Sequence, residues 1–346
     1  MITTNFLMLL LGLVFLVKGS DYFVMSASTI AKKLGVSEFV IGLTLVAVGT
    51  SIPELASSIV ASIQHASDIV IGNIVGSNIA NIGLIVGLAA LLYPIKTEVE
   101  MLRRDGYIML FAAVLFFVFS LNGKLSKIEC GLFLLLYIAY TLFLFEEAEK
   151  YEGKLHFKEF ITYFFKFQYI NSARQKFNSA GRNRSADSND KNSQLKDGFS
   201  KDILTLALSC AAIIIGANYF VDGSIFYAKL FKIPDTVIGT TLVAVGTSLP
   251  ELAVTVSAAR QGYGSIALGN VIGSNITNVF MILGISGLLY PLSVAEISLF
   301  FTTPVMIFIS VILLIFISTD WEIKRWEGVA LMVLYAAFLL VLFRIS

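Results

Sequence analysis

Two carboxylates stand inside otherwise apolar stretches of this chain, each at the end of the same phrase. Gly42-Leu-Thr-Leu-Val-Ala-Val-Gly-Thr-Ser-Ile-Pro-Glu54 returns as Gly239-Thr-Thr-Leu-Val-Ala-Val-Gly-Thr-Ser-Leu-Pro-Glu251. A second echo follows each copy, Gly72-Asn-Ile-Val-Gly-Ser-Asn-Ile-Ala-Asn81 and Gly269-Asn-Val-Ile-Gly-Ser-Asn-Ile-Thr-Asn278, and both echoes are offset by 197 positions. Ala47, Thr50, Ser51 and Glu54 fall at i, i+3, i+4 and i+7, so on a helix they share one face, as do Ala244, Thr247, Ser248 and Glu251. Pro53 and Pro250 have no N–H to bond the carbonyls of Gly49 and Gly246 four residues back, and inside a helix their rings would bend it. Freed carbonyls beside a carboxylate make an oxygen-rich surface. Ser77 and Asn81, with Ser274 and Asn278, offer further neutral oxygens one helical turn apart. The set is hard and anionic. Calcium takes about 6 to 8 oxygens at roughly 2.3 to 2.6 Å, a number these residues can meet without a soft ligand.

The competing reading makes Glu54 and Glu251 incidental polar residues between packed helices. An intramembrane carboxylate costs about 2.5 to 3.5 kcal/mol and usually faces a cavity or an ion path. Two at equivalent positions, each behind a proline, favour the cation site. Gly72-x-x-x-Gly76, Gly269-x-x-x-Gly273 and Gly83-x-x-x-Gly87 are assigned to close helix packing.

The elements that must carry these residues follow from composition. Of 346 residues 57% are hydrophobic and 14% charged, with a mean hydropathy of +0.82, against about a quarter charged in soluble proteins. A membrane span needs about 20 largely apolar residues, with its backbone polar groups satisfied internally. Ten such runs are found, near 5–30, 38–63, 69–93, 106–121, 128–145, 203–229, 236–259, 264–290, 297–318 and 326–343. The first lacks a basic leader and a clear cleavage site, so it reads as a retained helix. The expected fold is all-α and integral to the membrane. Residues 1–146 form one five-helix repeat carrying the motif at 42–81, 147–201 a linker, and 202–346 a second repeat carrying the motif at 239–278. Five spans per repeat is an odd number, so the second copy crosses in the opposite sense. Inverted repeats with interrupted helices meeting near the midplane are a recurring plan of secondary transporters.

The linker holds eleven lysines and arginines from Lys150 to Lys201, which places it in the cytoplasm and the N-terminus outside. That orientation puts Lys32, Lys33, Lys96, Arg103, Arg104, Arg260, Lys324 and Arg325 inside, and Lys124, Lys127, Lys229, Lys232 and Arg344 outside. Asn171 to Ser200 has the composition of a disordered segment. Before it, Phe157, Phe160, Ile161 and Phe164 are spaced as on an amphipathic helix, either lying on the membrane surface or extending the fifth span.

Other polar residues carry less. Lys18 and Asp21 correspond to Ile215 and Asn218 in the second copy, an asymmetry that argues against a site role and for a local ion pair or snorkelling. Asp222 matches Met25 and is set aside similarly. Cys130 and Cys210 have no metal-ligand or disulfide spacing and read as packing residues; His65 and His156 read as solvated. The net charge of +1 singles out no partner. Nothing points to nucleic acid, a cofactor or a nucleophile–base pair, so an enzyme is not expected; a monomer in the bilayer is.

Paired Gly-Thr-Ser-x-Pro-Glu motifs, each followed by Gly-Ser-Asn-x-x-Asn, resemble the two alpha-repeats of the calcium/cation antiporter superfamily, most closely its prokaryotic-type sodium/calcium exchanger branch. The resemblance covers all ten spans. It implies Glu54 and Glu251 as central ligands, with Thr50, Ser51, Thr247 and Ser248 as their neighbours. Ala47 and Ala244 would lend backbone carbonyls, and Ser77, Asn81, Ser274 and Asn278 would complete the set. It implies antiport of Ca2+ against Na+ across the plasma (inner) membrane by alternating access, with a role in calcium homeostasis. Potassium-dependent exchangers carry an aspartate at the position of Asn278, and proton-driven ones typically carry Gly-Asn in place of Gly-Thr-Ser, so the resemblance points to sodium. Ca2+/H+ antiport stays open as an alternative, with potassium-dependent exchange and a channel behind it.

Overall fold

The apolar runs become helices in the computed structural model, which describes residues 2–97, 99, 101–150, 157–170, 172, 191–230 and 244–345; within these, at 2, 145–150, 191–198, 228–229 and 244–245, only the backbone is described. The expectations for residues 236–243, including the start of the second motif, and for most of the linker lie outside them. In chain order the helices are α1 (Ile2–Leu34), α2 (Glu38–Thr50), α3 (Ile52–Ile63), α4 (Ser67–Leu92), α5 (Tyr107–Ser120), α6 (Lys127–Lys150), α7 (Phe157–Phe165), α8 (Lys191–Leu230), α9 (Ala244–Thr247), α10 (Leu249–Arg260), α11 (Gly264–Leu289), α12 (Ser298–Ser318) and α13 (Arg325–Ile345).

Among the described residues seven helices are long and apolar enough to cross a membrane, and an eighth span forms if α2 and α3, bent by 48°, are one crossing. The two other expected spans have visible reasons to differ. The fourth begins with a π-helical turn, Met101–Gly106, that holds Arg103, Arg104 and Asp105, and the seventh begins outside the described residues. Arg104, counted by sequence among the loop cations, is instead buried. Its Nε donates to Asp105 at 2.9 Å, and the Tyr140 hydroxyl donates to the other Asp105 oxygen at 2.7 Å.

Two helices occupy the centre. The apolar stretches of α4 and α11 are 78% and 83% buried within the protein, against 17–39% for the other five. These are the helices that carry Ser77, Asn81, Ser274 and Asn278, so the neutral oxygens of the motif stand on the most enclosed elements of the fold.

The two halves touch through matching contacts. Short strands β1 (Ile95–Lys96), β2 (Lys124–Leu125), β3 (Leu292–Ser293) and β4 (Glu322–Ile323) pair antiparallel as β1 with β4 and β2 with β3. The first strand of each half therefore meets the second strand of the other. At the centre Asn78 Nδ2 donates to the Asn275 carbonyl and Asn275 Nδ2 to the Asn78 carbonyl, both at 3.3 Å. Residues 197 positions apart that exchange identical bonds are related by a local twofold. The turn after α3 has His65 at φ 60° where the turn after α10 has Gly262 at φ 82°; His65 tolerates that conformation with its ring 4.0 Å from that of Tyr290.

Three further expectations are corrected. Residues 191–200, read by composition as part of a disordered linker, are the first turns of α8. The amphipathic segment 157–165 is a separate helix seated on the bundle: Phe160 is fully buried with its ring 6.0 Å from Tyr140 and 5.6 Å from Phe143. Asp21 does not pair locally with Lys18. It accepts from Ser257 and Arg260, on α10.

Candidate cation site

The site begins where each motif helix breaks. Ser51 (φ −83°, ψ 10°) and Ser248 (φ −90°, ψ 6°) leave helical geometry, and new helices start at Ile52 and Leu249 with Pro53 and Pro250 in the first turn. The sequence reading placed these prolines inside a helix; the structure places them where a missing N–H goes unneeded and the fixed φ suits helix initiation. Glu54 and Glu251 follow in that same first turn, where the positive end of the helix dipole favours a carboxylate.

The freed carbonyl of Gly49 has a specific destination. Cys210 Sγ, on α8, donates to it across 3.4 Å. Cys210 was read as packing alone, and the structure makes it the donor that replaces the amide Pro53 lacks. Ala47's carbonyl accepts from the Ser51 amide (3.1 Å) and the Thr50 hydroxyl (3.3 Å). Ala244 lies in the short helix α9, of which the backbone is described at that residue.

The arms of the two motifs cross. Ser51 Oγ donates to Glu251 Oε1 at 3.1 Å, and Ser248 Oγ to Glu54 Oε1 at 3.3 Å. The same hydroxyls approach the central helices, Ser51 Oγ to Ser274 Oγ at 3.2 Å and Ser248 Oγ to Ser77 Oγ at 3.4 Å. Asn81 Nδ2 donates to Asn275 Oδ1 at 3.0 Å and Asn278 Nδ2 to Asn78 Oδ1 at 2.8 Å. Asn81 and Asn278 each open a π-helical stretch, Asn81–Val86 and Asn278–Ile282, a distortion found often at functional sites. Thr50 Oγ1 also bonds Asn270 Oδ1 at 3.0 Å, and Thr247 stands half-buried at the corresponding place in α9. Glu54 and Glu251 are each 1% exposed, so the carboxylates, the two serines of the break and the Ser and Asn pairs of α4 and α11 form one enclosed cluster.

Four acceptors in that cluster have no donor among the described residues: Glu54 Oε2, Glu251 Oε2, Asn81 Oδ1 and Asn278 Oδ1. Leaving a buried acceptor unmatched costs about 1 to 3 kcal/mol, more for a charged group. They come from four elements as two repeat-related pairs, and a hard cation is the partner such a set fits. Among the described residues no three His, Cys, Asp or Glu side chains are grouped as a metal site, so the donor set is carboxylate and amide oxygen rather than imidazole or thiolate.

Sequence reasoning passed over a supporting layer. Asn73 Nδ2 reaches the Glu54 carbonyl (3.4 Å) and Ser58 Oγ (3.1 Å), and Asn270 Nδ2 reaches the Glu251 carbonyl (3.4 Å) and Thr255 Oγ1 (3.0 Å). Both lie within the echoed segments, directly after Gly72 and Gly269, and the repetition itself was the available signal. Close approach uses glycine as expected at Gly83, Gly87, Gly269 and Gly273, where a Cβ on Gly273 would come within 2.5 Å of the Leu43 carbonyl oxygen; the packing expected of Gly72 and Gly76 is corrected, since a Cβ on either would meet no atom within 4 Å.

A model of the family described as sodium/calcium exchanger protein matches residues 4–146 and 201–344. The chain belongs to the sodium/calcium exchanger family. It is 79% identical over all of both chains to the sodium/calcium exchanger MaX1 of Methanosarcina acetivorans. It is 34% identical, over 94% of each chain, to the membrane protein MJ0091 of Methanocaldococcus jannaschii. Among solved structures, the sodium-calcium exchanger NCX_Mj soaked with 10 mM Na+ and zero Ca2+ superposes with a TM-score of 0.77 at 32% identity, over 97% of this chain and 98% of that one. Membership of this family, together with the apolar helices, makes the chain an integral membrane protein. In this chain the break between α2 and α3 and its counterpart between α9 and α10 interrupt regular helix beside the buried carboxylates.

Proposed function

We propose that the chain exchanges Ca2+ for Na+ across the membrane through one site shared by its two halves. The reading is carried by the four unmatched acceptors, two carboxylate and two amide, brought together by crossed Ser–Glu contacts. Two carboxylates supply a charge near minus two. One calcium ion neutralises it, and so do two sodium ions, whereas both sets together would overfill it. Competition for the same oxygens couples the two fluxes. An empty, doubly negative site resists enclosure in a low-dielectric interior, so the protein would not cycle without cargo. The other ligands in this reading are Thr50, Ser51, Thr247, Ser248, Ser77 and Ser274, with the Ala47 and Ala244 carbonyls.

The same reading makes the architecture ten spans in two inverted five-helix repeats, with the break of each motif near the midplane and alternating access through rocking of α1 and α8 against the rest. The basic residues around the linker place it in the cytoplasm and the N-terminus outside. No cofactor takes part, since binding and release of the ions is the whole of the chemistry.

The test is a flux measurement on the purified chain in sealed vesicles, loaded with sodium, free of potassium and clamped at one pH on both sides. Calcium uptake driven by the outward sodium gradient is expected. Uptake that follows an imposed proton gradient and ignores sodium would replace this reading with Ca2+/H+ antiport. Uptake with no sodium on the opposite side would point to a channel.

A further inference from the structure

Helices α1 and α8 pack backbone against backbone. A Cβ on Gly12 would lie 2.7 Å from the Phe220 amide nitrogen and 2.8 Å from the Gly216 carbonyl, and one on Gly216 would lie 2.9 Å from the Gly12 carbonyl. Their backbones touch where a side chain would separate them. Lys33 on α1 and Asp202 on α8 form an ion pair near the other end of the interface.

This pair is seated on only one of two equivalent surfaces. Helix α10 runs from Glu251 in its first turn to Arg260 at its last residue, twelve residues or about 18 Å, and so forms a wall from the site towards one face of the protein. Asp21 of α1 sits against it, accepting from Ser257 Oγ at 2.6 Å and from Arg260 Nη2. The repeat-related positions are Asn218 on α8 and Val60 and Ile63 on α3, where the wall runs from Glu54. Asn218 is exposed, and Val60 and Ile63 are 53% and 64% exposed. The face over α10 is covered; the face over α3 is not.

Beside this contact an open, mostly apolar groove of about 310 Å³ is bordered by Leu13 and Leu16 of α1, Leu88 and Leu92 of α4, and Leu252 and Val256 of α10, so part of the boundary between α1 and α10 is left unfilled. Polar contacts therefore fix where α1 rests. The carboxylate of Asp21 is 18% exposed and the Arg260 side chain 43%.

We infer that Asp21, Ser257 and Arg260 form a latch that holds the α1–α8 pair over α10, closing the Arg260 side of the site while the α3 side stays open. They are positioning residues: they do not touch the ions, and they set the balance between the two ion-accessible states. The repeat-related positions Val60 and Ile63 have no polar group to offer Asn218. Opening on the Arg260 side therefore exchanges a polar contact for an apolar one, and the resting balance favours the arrangement seen here. The inference rests on the proposed transport function for its flux readout only.

Half-saturating calcium is to be measured from each face of the membrane in vesicles holding the parent chain, Asp21→Asn, Arg260→Gln, and the charge swap Asp21→Arg with Arg260→Asp. A partly exposed ion pair predicts shifts of about two- to fivefold. In either single variant half-saturation rises on the α3 face and falls on the Arg260 face, since weakening one state improves access to the other; the swap moves both back towards the parent. A purely structural role lowers the maximal rate without splitting the two faces. An independent readout uses purified Ala253→Cys, which lines the latched groove, labelled by a membrane-impermeant maleimide above the parent background. Adding Asp21→Asn is expected to speed that labelling by a similar factor. If the parent chain exchanges no ions, the proposed function fails and the labelling alone decides the latch. Half-saturations that move together or stay fixed, or labelling that does not respond to Asp21→Asn, overturn the latch.

Discussion

The centre of the molecule and its rim obey different symmetries. Around the carboxylates the contacts of one half recur in the other: Ser51 to Glu251 and Ser248 to Glu54, Asn81 to Asn275 and Asn278 to Asn78, Asn73 to Ser58 and Asn270 to Thr255. At the rim the correspondence fails. Asp21 is bonded to α10, Asn218 is exposed, and Cys210 donates to the Gly49 carbonyl while its counterpart, Leu13, has no donor. A symmetric centre can present the same oxygens to either face of a membrane. In the proposed latch, an asymmetric rim decides which face reaches them.

The largest break in that symmetry should come from the carboxylates, and it should be the same from either side. Removing one partner of a buried charged contact costs about 2 to 5 kcal/mol, roughly 30-fold or more in affinity. Glu54→Gln and Glu251→Gln should each abolish calcium uptake in the vesicle assay while the purified protein remains folded and monodisperse. The crossed serines come next. Hydrogen bonds to charged groups contribute about 1.5 to 3 kcal/mol, so Ser51→Ala and Ser248→Ala should each weaken calcium binding by about tenfold or more, and by matching amounts; a loss confined to one would mean that the two arms are not equivalent. Asn78→Ala and Asn275→Ala leave the partner amide unmatched in a buried place and should each cost about 1 to 3 kcal/mol of stability, read as a lowered Tm. The smallest effect belongs to the rim. Cys210→Ala removes a weak S–H donor of about 0.5 to 1 kcal/mol and should change the uptake rate by about twofold, with Cys210→Ser restoring it and Leu13→Ala having no matching effect on the Gly246 side.

Much of this was legible in the sequence because duplication repeats whatever the site needs. The fixed offset of 197 tied Glu54 to Glu251 and Asn81 to Asn278 before any contact was known. Local chemistry was read less well. Pro53 and Pro250 looked like kinks inside a helix, since a one-dimensional pattern cannot tell an interior proline from one in the first turn of a new helix. Asp21 was discounted because it breaks the repeat, yet its partner Arg260 lies 239 residues away and only the packing of α1 on α10 brings them together. Cys210 was invisible for the same reason: the carbonyl it serves belongs to a different helix. Asn73 and Asn270 were in plain view in the echoed segments, and their amides bond backbone and hydroxyl groups that no spacing rule names. Duplication thus recovers what the two halves share and hides what one half does alone.

The central claim is that the two halves build one calcium site between them. Its most direct test is equilibrium binding of radioactive calcium to the purified chain, without any gradient. The account predicts one calcium ion per chain, displaced by sodium, and lost alike in Glu54→Gln and Glu251→Gln. Two calcium ions per chain in the parent, with one retained at parental affinity in either variant, would mean two independent half-sites and would contradict it.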